Sequence, residues 1–491
     1  MSEADKGVVA AGHPLSAEAG ADVLRAGGNA VDAAVAAVLM SCVTESLLTG
    51  LGAGGHMLVA GGELEPKILD FFVEAPAQRD PTGSHVELDR VEVSFGDAAQ
   101  SFHIGPASCG VYGVPAGVCE ATRKWGSMEL ADLAAPAARM AEEGVPVNAG
   151  QAYVAKILAD LLTSTPECAA LWAPDGHVLC EGETLYNPEL SEALLRLASD
   201  GAEPFYTGDI ADAVYRWLHQ RGSTLSRRNL ADYSAIERDP VRIAYRDREI
   251  LTNPPPSAGG TLLAYALGLL DRGAAPPSLA GIVAAMDAAQ SERTAEFVEG
   301  LDQDGFLERF LASRLGSTTH ISVIDGHGRA CSVTCTNGEG SGVVVPGTGI
   351  HMNNVMGEED LNPLGFHLHP AGRRMPSMMA PSIVMRDDAV ELVLGSAGSN
   401  RIRSALLQTI VGVVDHGLDV RQAIEAPRVH FEDGVLFAEP GVDVDALGTD
   451  MQVVAFSARN LFFGGVQAAL SRDGSLSGAG DPRRGGVAVS L

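Results

Sequence analysis

Ser317-Thr318-Thr319-His320-Ile321-Ser322-Val323-Ile324-Asp325 is the stretch from which the rest of the chain can be placed. The approach to it, residues 312–317, has no apolar period. At Thr318 an alternation begins that puts Ile321 and Val323 on one face, as in a half-buried strand. Gly326-His327-Gly328 turns the chain, and Ala330-Cys331-Ser332-Val333-Thr334-Cys335-Thr336 runs back. The hairpin is crowded with hydroxyls, on Thr318, Thr319, Ser322, Ser332, Thr334 and Thr336. Threonine is favoured in strands, so this composition alone reads only as sheet.

Upstream, Val8-Val9-Ala10-Ala11 reads as a buried strand. Ser16 stands where a cap would start a helix through Ala26, ended by Gly27-Gly28. Asn29 caps a second, alanine-rich helix to about Cys42. The glycines between Thr49 and His56 lack the Lys-Ser/Thr of a phosphate loop and read as a tight turn into Met57-Leu58-Val59. Helical periodicity dominates from Ala116 to Val214 and returns over residues 262–300, with Pro254-Pro255-Pro256 a stiff extended segment between. Beyond residue 318 the pattern is strands and glycine turns, until a helix from Arg401 to Gly412.

The 491 residues are 46% hydrophobic, ample for a large core, and carry a net charge of −29. Binding to nucleic acid or to an anionic membrane needs basic surface, so this balance argues against both partners. The seven cysteines have no zinc-site spacing, and His367-x-His369 lacks further ligands and reads as loop; no metal and no cofactor are expected. Met1 to Lys6 is polar with no apolar signal core, which with unpaired thiols points to a cytoplasmic protein. Val31 to Val43 is interrupted by Asp32 and is too short to span a bilayer.

Thr318-Thr319-His320-x-Ser322-Val323-x-Asp325 resembles the start of the small subunit of γ-glutamyltranspeptidases, self-cleaving N-terminal-nucleophile hydrolases. The resemblance extends along nearly the whole chain. It takes in His13-Pro14-Leu15-Ser16-x-Glu18-Ala19-Gly20, Gly27-Gly28-Asn29-Ala30-Val31-Asp32, Gly113-Val114-Pro115 and Pro254-Pro255-Pro256-Ser257. Ala380-Pro381-Ser382-Ile383, Ala426-Pro427-Arg428 and Asp481-Pro482-Arg483-Arg484-Gly485-Gly486 follow in the family's order. It implies an α+β fold, a four-layer αββα sandwich. Residues 1–317 would be a large-subunit segment and 318–491 a small-subunit segment, interlocked as a heterodimer of the chain's own two fragments.

A threonine hydroxyl is a weak nucleophile without an adjacent base, and an N-terminal threonine supplies one in its own α-amine. The amine must first be liberated, so the resemblance implies self-cleavage between Ser317 and Thr318. Thr319 is the rival nucleophile by position, but the family motif favours Thr318. Thr336 aligns with a threonine that hydrogen-bonds the nucleophile in relatives. Gly395-Ser396-Ala397-Gly398-Ser399-Asn400 resembles the family's Gly-Ser-Pro-Gly-Gly-Ser, whose two adjacent glycines give N–H groups to the oxyanion; these match Gly398 and Ser399.

The substrate-binding half of the pattern departs from the family. Relatives hold a glutamyl α-carboxylate with the arginine of Asp-Phe-Arg-Glu, where this chain has Phe72. A paired serine is reduced to Ser377 followed by Met378, and Asn-Asn-Gln-Met-Asp-Asp becomes Asn353-Asn354-Val355-Met356-Gly357-Glu358, with Glu358 the one acid kept. Asn337 corresponds to a further family asparagine. A less polar donor than free γ-glutamyl is expected, transferred to water or an amine acceptor, and an arginine restored at position 72 is expected to raise glutamyl activity. Two other enzyme readings stand beside this one: a C–C bond hydrolase of antibiotic alkylproline biosynthesis and a cephalosporin- or glutaryl-type acylase. The non-enzymatic alternative, an unprocessed binding protein, is disfavoured by the retention of Thr318, Thr336 and Gly398.

Overall fold

The computed structural model describes residues 6–76, 88–94, 99–273, 275–291, 319–359, 361–362, 365–432, 434–447 and 451–491. Ser317 and Thr318 lie outside these residues. Among the described residues thirteen strands build the two large sheets: β1 (Gly7–Ala11), β2 (Gly54–Gly61), β3 (Leu64–Phe71), β4 (Ile236–Arg238), β5 (Val241–Tyr245), β6 (Arg248–Thr252), β7 (Thr319–Asp325), β8 (Arg329–Thr336), β9 (Ser382–Arg386), β10 (Ala389–Ala397), β11 (Gly465–Arg472), β12 (Ser475–Gly480) and β13 (Val487–Ser490). The first sheet has the order β13-β1-β7-β8-β2-β3-β4, and the second β12-β11-β10-β9-β6-β5. Both take strands from either side of residue 317, so neither half of the chain owns a sheet.

β7 is interior. It pairs antiparallel with β1 through Ala11↔Ile321 and with β8 through Thr319↔Cys335 and His320↔Thr334. Alternation then sorts its side chains. Ile321 and Val323, with Cys331, Val333 and Cys335 of β8, join a core shared with helices α1 (Pro14–Arg25) and α2 (Ala30–Thr44). On the other face, Val8, Leu58, Ile324 and Ala330 meet Leu251, Ile383, Val393 and Ala469 of the second sheet. That sheet's far face packs Val384, Leu392 and Ala468 against α3 (Ala258–Asp271), α4 (Leu279–Ser291) and α5 (Arg401–Val414).

The hydroxyls of the hairpin serve this packing. Ser322 Oγ donates to Gln467 O (3.0 Å) and Ser332 Oγ to Leu394 O (3.1 Å), tying β7 and β8 to the second sheet. Because Ser322 spends its proton on that carbonyl, His320 Nε2, 2.9 Å away, is the donor to it. His320 Nδ1 then accepts from Thr334 Oγ1 at 2.8 Å. Burial drives the His320 pKa down to about 3, so the ring is neutral. A side chain at Gly395 would collide with this ring, which explains a glycine in mid-strand.

Two local readings shift. Asn29 caps α2 with a full capping box through Asp32, as its sequence indicates. Helix α1, however, starts at Pro14 with His13 as the cap, its Nδ1 accepting from Leu15 N–H at 3.2 Å. Proline is preorganised for the first helical position, so the start moves two residues ahead of Ser16. Ser16 is instead buried against Thr44 Oγ1 at 2.8 Å. Within the run read as helix over residues 262–300, α3 and α4 are separated by a break after Asp271, and residues 292–300 lie outside the described residues.

Candidate active site

Thr319 opens β7, and its Oγ1 donates to Glu45 Oε1 at 2.9 Å. Glu45 follows the last turn of α2 and also accepts from Ser16 Oγ at 3.5 Å. Burial raises its carboxyl to about 7, against the opposing pull of these hydrogen bonds and of Arg484. Glu45 is therefore the one titrating group hydrogen-bonded to the described end of the strand. Neither its type nor its spacing marks it in the sequence.

Thr336 closes β8 one residue beyond Cys335, the partner of Thr319. Its Oγ1 accepts from Gly338 N–H at 2.7 Å. Asn337 is fully buried and held by its backbone, N–H to Leu48 O and O from Asn354 N–H, both at 2.9 Å. Its side-chain amide has no partner among the described residues. Gly338 turns with φ +67°, and a Cβ there would strike Asn354 Oδ1 and Glu358 Oε1. Thr336, Asn337 and Glu358 are thus brought together at one end of the hairpin.

Phe72 and Val355 also meet, in a different setting. They pack with Val73, Met356, Met375 and Met379 in a closed apolar cluster, and Phe72 stacks on His56 with ring centroids 5.5 Å apart. Arg374 stands beside them, donating to Phe72 O (2.5 Å), Tyr233 Oη (2.6 Å) and Ser234 O (2.7 Å) and ion-pairing with Glu74 (3.2 Å) and Asp70 (3.5 Å). Its charge is already committed. Met378 does not join this cluster, because alternation along an extended segment sends it to the side opposite Met379, into the core of the second sheet and its helices. Ser377 donates its hydroxyl to Ser257 Oγ at 2.9 Å.

Gly398 and Ser399 lie where β10 passes into α5. Arg401 N–H donates to Gly398 O and Ile402 N–H to Ser399 O, both at 3.0 Å, starting the helix. Gly398 has φ +125° and Ser399 φ +55°. The second is a left-handed conformation that glycine takes without strain and serine does not. A Cβ on Gly398 would stand 2.6 Å from Gly464 Cα and 3.6 Å from Arg484 Nη2. Arg484 belongs to a motif visible in the sequence, but its approach to this turn is visible only in three dimensions. Among the described residues one trio could hold a metal, His177, Cys180 and Glu183 on an exposed turn, remote in character from these groups. No helix among the described residues is long and apolar enough to cross a membrane.

The sequence matches the Gamma-glutamyltranspeptidase family over residues 16–304 and 306–491. The chain belongs to the gamma-glutamyltranspeptidase family. It is similar to the Acylase ACY 1 proenzyme of Pseudomonas sp. (strain SE83), 30% identical over 99% of this chain and 94% of the relative. The Glutathione hydrolase proenzyme of Escherichia coli (strain K12) is 30% identical over 98% of this chain and 91% of that protein. Among solved structures, a cephalosporin acylase from Bacillus halodurans superposes with a TM-score of 0.83 at 26% identity, covering 99% of this chain and 96% of its own. As a gamma-glutamyltranspeptidase family member whose relatives are hydrolases and acylases, the chain is an enzyme.

Proposed function

We propose that this family member is a self-processing amide hydrolase or acyltransferase whose donor is not a free γ-glutamyl group. The observation that carries the reading is the closed apolar cluster of Phe72, Val355, Met375 and Met379, which occupies positions where the family resemblance leads one to expect an arginine and a glutamine. A donor α-carboxylate finds neither room nor an uncommitted cation there, since Arg374 is held by Asp70 and Glu74.

In this reading the chain cleaves itself between Ser317 and Thr318, and the freed Thr318 amine activates its own hydroxyl. The hydroxyl attacks the donor carbonyl. The amine takes the proton and passes it to the departing amine, and water or an amine acceptor releases the acyl group. Thr336 is proposed to hydrogen-bond the nucleophile, and the N–H groups at Gly398 and Ser399 to receive the oxyanion. The packing of two sheets between helices supports the four-layer αββα description, with the two fragments remaining interlocked after cleavage. The relatives named acylases support amide cleavage over cleavage of a C–C bond.

Denaturing electrophoresis with N-terminal sequencing tests processing. Two fragments are expected, the smaller beginning at Thr318, and Thr318→Ala should leave one uncut chain. Wild type that is active while full-length overturns the reading. Processed enzyme should turn over γ-glutamyl anilide poorly, and efficient turnover overturns the donor assignment.

A further inference from the structure

The arginines around the site differ in how they are neutralised. Arg374 has two carboxylates. Arg401 donates Nε to Phe462 O at 3.0 Å and lies over that ring. Arg484 is unlike both. Among the described residues it makes one hydrogen bond, Nη2 to Leu461 O at 3.3 Å, and no ion pair, while its Nε is closed off from water without an acceptor. Glu339, Asp481 and Glu45 act on it only at longer range, and burial lowers its pKa to about 10, which leaves it charged near neutrality.

Arg484 lines a recess together with Glu45, Ser46, Leu48, Trp172 and Leu461. Two of these side chains repeat the same deficiency. Trp172 is 1% exposed and Ser46 7% exposed, and among the described residues neither the indole N–H nor the serine hydroxyl has a partner. An indole N–H can only donate, and buried donors are ordinarily satisfied. The recess thus combines an apolar wall with unmatched donors and an unpaired cation. It also reaches both halves of the site. Glu45 holds Thr319, and Arg484 approaches the Gly398 turn.

We propose that the recess is a carboxylate subsite: the substrate carries a carboxylate, bound by Arg484, on an apolar body that packs against Leu48, Trp172 and Leu461. This rests on the amide-cleaving reading above and names the class of substrate it acts on. The carboxylate belongs either to the acyl half, as in a dicarboxylic monoamide, or to the amine half, as in an N-acyl amino acid. A carboxylate satisfies the guanidinium and offers acceptors to the neighbouring donors, which a neutral amide of the same shape does only in part.

The test uses processed wild-type enzyme and two matched pairs: glutaryl against valeryl p-nitroanilide, and N-hexanoyl-phenylalanine against its primary amide. One carboxylate is expected to show a KM at least tenfold below its neutral partner, and which pair responds identifies the half that bears it. Arg484→Met should shrink that ratio to below twofold, and Arg484→Lys should retain part of it. As a readout independent of turnover, 3-phenylpropionate should raise the melting temperature of wild type while 3-phenylpropionamide does not. Neutral amides cleaved as readily as both carboxylates overturn the subsite and leave amide hydrolysis standing. If no amide is cleaved, the functional reading fails, and the melting-temperature comparison still decides the subsite. Should Arg484→Met fail to fold, the wild-type ratios and shifts decide, and equal responses to carboxylate and amide overturn the proposal.

Discussion

Phe72→Arg restores the family's residue type, and on sequence grounds it should restore glutamyl activity. The structure reverses that expectation. Phe72 is 0% exposed, stacked on His56 and walled by Val355, Met375 and Met379. Removing a buried phenylalanine side chain costs about 3–5 kcal/mol, of which an arginine stem recovers only part. The new guanidinium would lie beside Arg374, whose Nη1 already bonds Phe72 O, while Asp70 and Glu74 are already engaged. An uncompensated buried charge adds about 3–5 kcal/mol of its own. Even with relaxation, a loss of about 4 kcal/mol is expected, a large share of a folding stability of about 5–15 kcal/mol. Urea denaturation of the soluble protein, with Phe72→Leu as a control losing about 1–1.5 kcal/mol, reads the difference. Turnover of γ-glutamyl anilide should not rise. A Phe72→Arg enzyme that keeps the wild-type denaturation midpoint and gains glutamyl activity would show that position 72 opens onto substrate, and would refute the enclosure.

Glu45 has a carboxyl raised from 4.5 to about 7, so the folded chain holds a proton that the unfolded chain releases above its ordinary value. The contribution of Glu45 to stability therefore falls as pH rises from about 4.5 to about 7, by about 3 kcal/mol at most, and is constant above that. Glu45→Gln should match wild type near pH 5 and exceed it at pH 8 in chemical denaturation; a variant weaker than wild type at pH 8 contradicts the assignment. Ser399→Gly should gain about 1 kcal/mol by relieving the left-handed φ of +55° without loss of activity, and a loss of stability in the same assay counts against that strain. His320→Ala takes the acceptor from the Thr334 hydroxyl and the donor from the Ser322 oxygen, which keeps only its bond to Gln467 O, and should cost about 3 kcal/mol while leaving the shape of the pH–rate profile intact. A changed profile would give His320 a part in the chemistry.

What the sequence by itself determined is whatever rests on short-range periodicity and on fixed motif spacing. The alternation from Ile321 to Val323 makes a strand wherever it is placed, and Asn29 with Asp32 closes a capping box within one turn. The run of motifs from His13 to Gly486 carries the family over the whole chain. The nucleophile assignment at Thr318 belongs to that motif reading and lies outside the described residues. Tertiary structure alone decided what the polar side chains do, because their partners are remote along the chain. Glu45 reaches Thr319 across 274 positions, and the hairpin hydroxyls find carbonyls in a second sheet. It decided that Phe72 and Val355 close a cluster while Met378 turns away, and that Arg374 is neutralised where Arg484 is not. A local pattern encodes which face a residue takes. Which charge is paired and which donor is left unsatisfied depends on elements packed from distant parts of the chain, and desolvation at those contacts sets the chemistry.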